Sequence, residues 1–168
     1  MLDRTGLSAH AAGYCRLDAG VLPFPLRIGG KSHMAYWLFK EDPDHYRYED
    51  LERDGSTLWE GVKNSLARAH LRKVCRGDRI WYYHTGHEKA VVGEMRALAD
   101  ACTVGTRDDP KAVAVQVEAV RALSRPVTLA EIKKEPRLAS WDLVRLPRLS
   151  VLPVSASQWQ RIEELSQS

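Results

Sequence analysis

Apolar segments of strand length, separated by turn residues, are the feature that most limits how this chain can fold. Their aromatic and β-branched content is typical of strands rather than helices. In one of them Val113, Val115 and Val117 alternate with the period of two that a half-buried strand requires. The predicted strands are residues 35–40, 79–84, 90–99, 113–120 and 149–154.

Helices are predicted between and after these strands. Asn64 can cap a helix over residues 64–75, and Gly77 stands just beyond its end. A Thr-x-x-Glu capping box at Thr128 begins another helix. The predicted helical segments are residues 48–53, 64–75, 128–134 and 157–165.

The balance of strands and helices predicts how the sheet is arranged. So few helices cannot cover both faces of an open sheet, whereas a closed barrel buries one face and removes the exposed edges. The three consecutive strands at 79–84, 90–99 and 113–120 are expected to be antiparallel. We therefore predict an α+β fold, a small mixed β-barrel with helices inserted around it.

The length of 168 residues suits one domain with a short appendage. Residues 1–33 contain prolines and a Gly-Gly pair but no sustained helical or strand period, so we predict a loose N-terminal extension. Met34 precedes the first strand and is a candidate natural start, in which case residues 1–33 are not native. The domain itself is expected to span residues 34–168.

The positive charge is concentrated in one part of the sequence. The net charge is only +3, but the interval from Lys63 to Arg79 holds six basic residues and one acid. Three distant cysteines fit neither a disulfide framework nor a zinc motif, and no apolar run approaches the ~20 residues of a membrane span. We therefore expect an intracellular monomer without membrane contact, metal or cofactor, cytoplasmic in a bacterium and nuclear in a eukaryote.

Side chains that stack on nucleobases occur in three segments. Trp37, Trp59 and Trp81 each have a Tyr, His or Asn close by in sequence, which combines aromatic rings with polar groups that read bases. The basic interval lies between the second and third segments. This combination favours recognition of a nucleic-acid base.

Five motifs in order carry a resemblance to a known family. They are Tyr-Trp-Leu-x-Lys at 36–40 with Pro43, Trp-x-Gly-Val-Lys-Asn at 59–64, Gly-Asp at 77–78, Tyr-His-Thr at 83–85 and Arg-Leu-Ser-Val at 148–151. From Met34 to about Leu165 the chain resembles the EVE domain, the family of thymocyte nuclear protein and its bacterial relatives. The resemblance implies a PUA-like barrel, related to the YTH and ASCH domains, that holds a modified base in an aromatic cage. Modified cytosine in DNA is the ligand most often proposed for the family.

Two positions depart from the family pattern. Glu41 stands where the family often has serine, and Lys63 stands where it often has arginine. A carboxylate can accept a hydrogen bond from a base amino group but repels phosphate, so Glu41 leaves the identity of the ligand open.

Nine residues form the predicted base-binding pocket, and several of them have an ordinary structural alternative. Trp59 could be a core tryptophan, Asn64 a helix cap and Ser150 an exposed strand serine. Because neighbouring residues of a strand face opposite sides, only one of Tyr83 and His84 is expected to line the pocket. The predicted pocket residues are Trp37, Lys40, Glu41, Trp59, Val62, Asn64, Tyr83, His84 and Ser150.

Contacts to the nucleic-acid backbone are predicted for Lys63 and for Arg68, Arg72 and Arg76. The four-residue spacing of the arginines places them on one stripe of the predicted helix. They could bind phosphates, and the alternative is an ordinary solvated helix face.

No residue pattern typical of catalysis is found in the sequence. There is no nucleophile-base pair, metal motif or phosphate-binding glycine loop with a recognisable spacing. His84-x-x-His87 followed by Glu88 crosses a turn, so its spacing lacks the meaning it has on a metalloprotease helix. We predict a non-catalytic module that accepts an extruded, modified base from DNA or RNA. The alternatives are an ASCH-like enzyme that acts on a small modified nucleoside through Lys40, Glu41 and His84, and a protein-interaction barrel whose aromatic residues are all core.

Overall fold

The computed structural model describes residues 34–105 and 107–168, and the prediction for residues 1–33 lies outside this part. The described chain contains seven strands and five helices. In chain order they are β1 (Tyr36–Glu41), α1 (Tyr48–Asp54), β2 (Ser56–Trp59), α2 (Ser65–Leu71), β3 (Arg79–His84), β4 (Ala90–Ala97), β5 (Cys102–Thr103), β6 (Val113–Thr128), α3 (Leu129–Lys134), α4 (Asp142–Arg145), β7 (Val151–Val154) and α5 (Ala156–Ser166).

The strands form one mixed sheet in the order β2-β6-β4-β3-β1-β7, and the short β5 pairs with β6. β1 and β3 are parallel, and the other pairs are antiparallel. The α+β class is therefore confirmed, but the closed barrel is not, because within the described residues no pairing joins β2 to β7. Helix α2 packs against both β6 and β7, so side-chain packing rather than a hydrogen-bonded seam connects these parts of the sheet.

The strand predictions were accurate where the apolar pattern is regular. β3 has the predicted bounds, whereas β6 continues past Val120 to Thr128. The register between β4 and β6 shifts twice, and such bulges break the strict alternation that marks a strand in sequence. The short β2 and β5 were not predicted, because each is held by pairing with β6 rather than by its own residue pattern.

The helix after Asn64 is shorter than predicted. It ends at Leu71 instead of Cys75, because the backbone N–H of Cys75 donates to Asp78 Oδ2 at 3.0 Å and folds the chain into a turn. The same carboxylate accepts a hydrogen bond from the indole of Trp37, so a tertiary contact decides where the helix stops. α4 was not predicted, and Ser155 rather than Ser157 caps α5.

Two close contacts attach helices to the sheet. The rings of Trp81 in β3 and Trp159 in α5 stack at 3.8 Å, which attaches the last helix to the centre of the sheet. Gly93 in β4 faces the ring of Tyr48 in α1, where an added Cβ would lie 2.4 Å from a ring carbon. The Tyr48 hydroxyl donates to the carbonyl of Glu94 at 2.8 Å, so α1 also has a fixed position on the sheet.

Candidate nucleic-acid interface

A cavity of about 120 Å³ lies where the ends of β1 and β3 meet the first residues of α3 and the segment around α4. Lys40 and Tyr83 are register partners on these parallel strands, so their side chains face the same side of the sheet. The remaining lining comes from the β3–β4 turn and from apolar residues that are distant in sequence. The lining residues are Lys40, Tyr83, Thr85, Gly86, Lys89, Leu129, Leu143 and Pro147.

Lys40 supplies the buried cation of this cavity. Its side chain is 9% exposed, and Nζ donates to the carbonyl of Pro147 at 3.1 Å. Nζ also lies 5.7 Å from the centre of the Tyr83 ring. Burial lowers the pKa of Lys40 to about 8, because the low-dielectric surroundings disfavour the ammonium form. Burial likewise raises the pKa of Tyr83 to about 12, so the phenol stays neutral.

His84 lies on the opposite side of β3 from the cavity. Its Nε2 accepts the backbone N–H of Tyr48 at 3.1 Å, and its Nδ1 lies 2.6 Å from Glu88 Oε2. This pattern assigns the proton to Nδ1, which donates to the carboxylate. Burial raises the pKa of Glu88, but hydrogen bonds from His84 and Arg47 outweigh this and lower it below its usual value. His84 therefore holds the turn that lines the cavity without itself lining it.

The predicted cage of two indoles is not present. Trp37 is 5% exposed and donates from Nε1 to Asp78 Oδ2 at 2.9 Å. Trp59 is 6% exposed, with its ring 5.2 Å from Phe39 and 5.5 Å from Tyr82. Trp37 is an odd-numbered residue of β1 and Lys40 an even-numbered one, so the two face opposite sides of the sheet. Both tryptophans are core residues.

The other predicted pocket residues have positions outside the lining of the cavity. Glu41 shares the face of Trp37, and its Oε1 lies 3.2 Å from His45 Nδ1. The alternative interpretation of Asn64 is confirmed, because Oδ1 accepts the N–H of Ala67 at 3.0 Å and caps α2. Val62 is buried. Ser150 is half-buried next to β1, where its carbonyl accepts the N–H of Lys40 at 2.9 Å.

The predicted backbone-binding residues do not form a single helical stripe. Arg68 is paired with Asp109 and donates to the Val62 carbonyl, and Arg72 donates to the Lys111 carbonyl at 3.2 Å. Arg76 lies beyond the end of α2. It lines a second cleft, of about 300 Å³, together with Gly77, Arg96, Ala97 and Leu98. Lys63 is exposed on the segment before the helix.

Residues 34–105 and 107–168 contain neither a cluster of metal ligands nor a helix that could span a membrane. No group of three His, Cys, Asp or Glu side chains is placed to hold a metal ion. No helix in this part of the chain has the length and apolar character needed to cross a membrane.

Comparison with known proteins identifies the family. The EVE domain family model matches residues 35–165, which is most of the chain. The chain belongs to the EVE domain family. The NMR structure of a Rhodopseudomonas palustris protein is 37% identical and covers 79% of this chain and 93% of its own, with a TM-score of 0.75.

Human thymocyte nuclear protein 1 is a second relative of this EVE domain. It is 26% identical over 171 residues, which are 82% of this chain and 76% of the human one. Its structure in complex with 5-methylcytosine-containing DNA has a TM-score of 0.74 at 24% identity and covers 80% and 98% of the two chains. An ASCH protein from Zymomonas mobilis shares the fold alone, with a TM-score of 0.55 at 16% identity over 79% of this chain and 96% of that one.

Sequence reasoning missed most of the cavity lining of this EVE domain. Gly86, with a φ of 61°, was recognised only as a turn residue. Leu129, Leu143 and Pro147 were unremarkable apolar residues in sequence, and they line the cavity because α3 and the segment around α4 lie next to Lys40 and Tyr83 in the fold. The contact between Lys40 and the Pro147 carbonyl, which are far apart in the chain, had no sequence signal.

Proposed function

We propose that this EVE domain is a non-catalytic reader that accepts one extruded, modified base from nucleic acid in the cavity between Lys40 and Tyr83. Modified cytosine in DNA is the favoured ligand. The observation that carries the proposal is the combination, in one cavity, of an aromatic wall, a buried cation and an apolar lining. Enzymes and readers that extrude a base hold it by stacking and by hydrogen bonds to its edge.

The volume of the cavity suits a single ring. A dry cavity of about 150 Å³ in another protein binds benzene, and the cavity here is about 120 Å³. A pyrimidine has the dimensions of one such ring, whereas a purine has a second ring and needs a larger volume. The volume therefore favours cytosine or one of its 5-substituted forms.

The chemistry of the lining also suits a modified cytosine. An ammonium has only donors, so Lys40 would pair with the O2 and N3 acceptors of the base. Tyr83 would provide the stacking surface. Leu129, Leu143 and Pro147 form an apolar wall on which a 5-methyl group can be buried, with about 0.8 kcal/mol expected for each buried methylene or methyl equivalent.

A cavity with one aromatic wall needs more than stacking to retain an extruded base. Extrusion costs a few kcal/mol, while stacking on one side chain returns roughly 1–3 kcal/mol. A hydrogen bond from a charged donor contributes roughly 1.5–3 kcal/mol. Lys40 would therefore supply the part of the binding free energy that a second indole was expected to provide. Contacts to the phosphate backbone would then add affinity in proportion to the number of phosphates bound.

The family supports the choice of ligand. Human thymocyte nuclear protein 1 has been solved with DNA that contains 5-methylcytosine, and it is a sequence relative of this chain. Binding to RNA, a monomeric state and an intracellular location, cytoplasmic in a bacterium or nuclear in a eukaryote, stay predictions from the sequence. So do backbone contacts by Lys63, Arg68, Arg72 and Arg76.

Titration of fluorescent duplexes tests the proposal. Each duplex carries one unmodified, 5-methyl- or 5-hydroxymethylcytosine, and a matching set of single strands is measured in parallel. We expect the wild type to prefer a modified duplex, and Tyr83→Leu, which keeps an apolar side chain but removes the stacking ring, to lose this preference. Tyr36→Leu alters a tyrosine of β1 outside the cavity and is the control. Equal affinity of the wild type for all duplexes would refute the proposal.

A second candidate function rests on the lowered pKa of Lys40. A lysine with a pKa of about 8 in a cavity is partly unprotonated near neutral pH and could act as a nucleophile or base in an ASCH-like enzyme. The other two residues considered for this role, Glu41 and His84, lie on the opposite side of the sheet. Incubation of the protein with modified nucleosides, followed by chromatography, distinguishes the two functions. We expect the wild type to form no product. A product that the wild type forms and Lys40→Met does not would favour the enzyme.

A further inference from the structure

Lys89, at the mouth of the cavity, has a backbone conformation that is unusual for its residue type. Its φ is 46°, and within the described ranges it is the one residue other than glycine with a positive φ. This left-handed region of backbone conformation disfavours residues that have a Cβ. Two hydrogen bonds hold the backbone in place: Lys89 N–H donates to the Thr85 carbonyl at 3.4 Å, and the Lys89 carbonyl accepts the N–H of Leu129 at 2.7 Å. A lysine therefore occupies a position where glycine would be unstrained.

The positive charge of Lys89 is not used inside the domain. The side chain is exposed and takes part in no ion pair with the residues that the structure describes. The neighbouring acid, Glu88, is bound by Arg47 at 2.8 Å and by His84 at 2.6 Å, so it does not neutralise Lys89. Arg148 directly follows the lining residue Pro147, and it too is exposed and in no ion pair within this part of the chain.

The cations of α2 are in a different situation. Arg68 is bound to Asp109, and Arg72 is hydrogen-bonded to the carbonyl of Lys111. None of these residues lines the cavity. Among the exposed cations that take part in no ion pair in this part of the chain, Lys89 lines the cavity itself.

We infer that the phosphate adjoining the extruded base binds at the mouth of the cavity, to Lys89. The inference rests on the proposed function, because a base held in the cavity leaves its sugar and phosphates outside, at the rim. A phosphate contact there would set the depth and orientation of the base, since such contacts position a nucleic acid without reading its sequence. The strain in the Lys89 backbone then has a functional reason, because lysine places an ammonium group at this position and an unstrained glycine would not.

The strained backbone dictates which variant tests the inference. Asn tolerates a positive φ better than other residues with a Cβ, so Lys89→Asn removes the charge and preserves the turn. Lys89→Arg keeps the charge. Lys111→Gln removes an exposed lysine away from the cavity and is the control. Thermal melting confirms that each variant is folded.

Affinity for a duplex with one 5-methylcytosine is measured over a series of salt concentrations, and affinity for free 5-methyl-2′-deoxycytidine is measured separately. In Lys89→Asn we expect the slope of log affinity against log salt to fall by about 0.9, the value for one lost phosphate contact. Because the nucleoside has no phosphate, its affinity should change by a smaller factor than the affinity for the duplex. Lys89→Arg and Lys111→Gln should keep the wild-type slope.

The outcomes separate the two proposals. A wild type that prefers the modified duplex, together with an unchanged slope in Lys89→Asn, overturns the phosphate site and leaves the reader function standing. If Arg72→Gln reduces the slope of log affinity against log salt and Lys89→Asn does not, the phosphate site at Lys89 is also overturned. The phosphate contact would then lie at the end of α2. A wild type that binds all duplexes with equal affinity refutes the reader function, and the phosphate site with it.

Discussion

Replacement of Lys40 by methionine should reveal how much stability the protein gives up to bury this cation. The decrease of its pKa from 10.5 to about 8 means that the ammonium is disfavoured in the folded state by about 3 kcal/mol, because each tenfold change in the dissociation constant equals about 1.4 kcal/mol. Methionine keeps an apolar stem of similar length and removes the charge. At neutral pH the Lys40→Met protein is therefore expected to be more stable than the wild type.

The pH dependence of unfolding distinguishes this cause from a general change in packing. Between about pH 8 and pH 10.5 the unfolded chain binds more protons at Lys40 than the folded protein, so wild-type stability must increase as pH rises through this window. From pH 7 to about pH 9.5 the gain attributable to Lys40 is about 2 kcal/mol. Above about pH 10 the opposite occurs, because Tyr48 and Tyr83 have pKa values raised to about 12 and the unfolded chain loses their protons first.

Urea denaturation followed by tryptophan fluorescence at about pH 7 and pH 9.5 measures both effects. The difference in unfolding free energy between Lys40→Met and the wild type should be largest at pH 7 and decrease by about 2 kcal/mol at pH 9.5. Lys73→Met, which alters an exposed lysine, should follow the wild type at both pH values. If wild type and Lys40→Met depend on pH in the same way, Lys40 is not desolvated and the interpretation of the cavity as a low-dielectric site is wrong.

Three further substitutions test the structural roles assigned above. Trp59→Ala should lower the unfolding free energy in urea by about 3–5 kcal/mol because the indole is core, whereas its folded fraction should still prefer modified duplexes; loss of that preference would return Trp59 to the site. Asn64→Ala should lose about 1 kcal/mol in the same assay, and Asn64→Asp, which can still cap α2, should lose less; equal losses would contradict the cap. Gly93→Ala should lower the melting temperature by displacing the Tyr48 ring, at a cost of about 1–3 kcal/mol, and an unchanged melting temperature would show that the contact is loose.

The regular parts of the fold were predictable from local pattern. β3 was predicted with its observed bounds, and the Thr128 capping box begins α3 as expected. The period of two in a strand also required that Tyr83 and His84 face opposite sides, and they do. The same rule, applied to β1, would have separated Trp37 from Lys40, because residues three apart in a strand cannot share a face.

Other features depended on contacts between distant parts of the chain. α2 stops at Leu71 because Asp78 binds the N–H of Cys75, and β2 exists because β6 pairs with it. Neither of these two pairings is marked in the local sequence. The prediction of a closed barrel was wrong for a related reason. The residue pattern indicates that an apolar face of the sheet must be buried, but it does not indicate whether strand pairing that closes the sheet or a packed helix buries it.

The sequence by itself determined the family, the strands and helices with a strong period, and the alternation that assigns each strand residue to one of two faces. Only the tertiary structure decided which face of β1 and β3 has a hollow, because that depends on where α3 and α4 pack. Residues of these two helices line the cavity beside Lys40 and Tyr83, whereas Trp37 and Trp59 pack into the core. The type of a residue indicates what its side chain can bind, whereas the packing of the whole chain decides whether a ligand can reach that side chain.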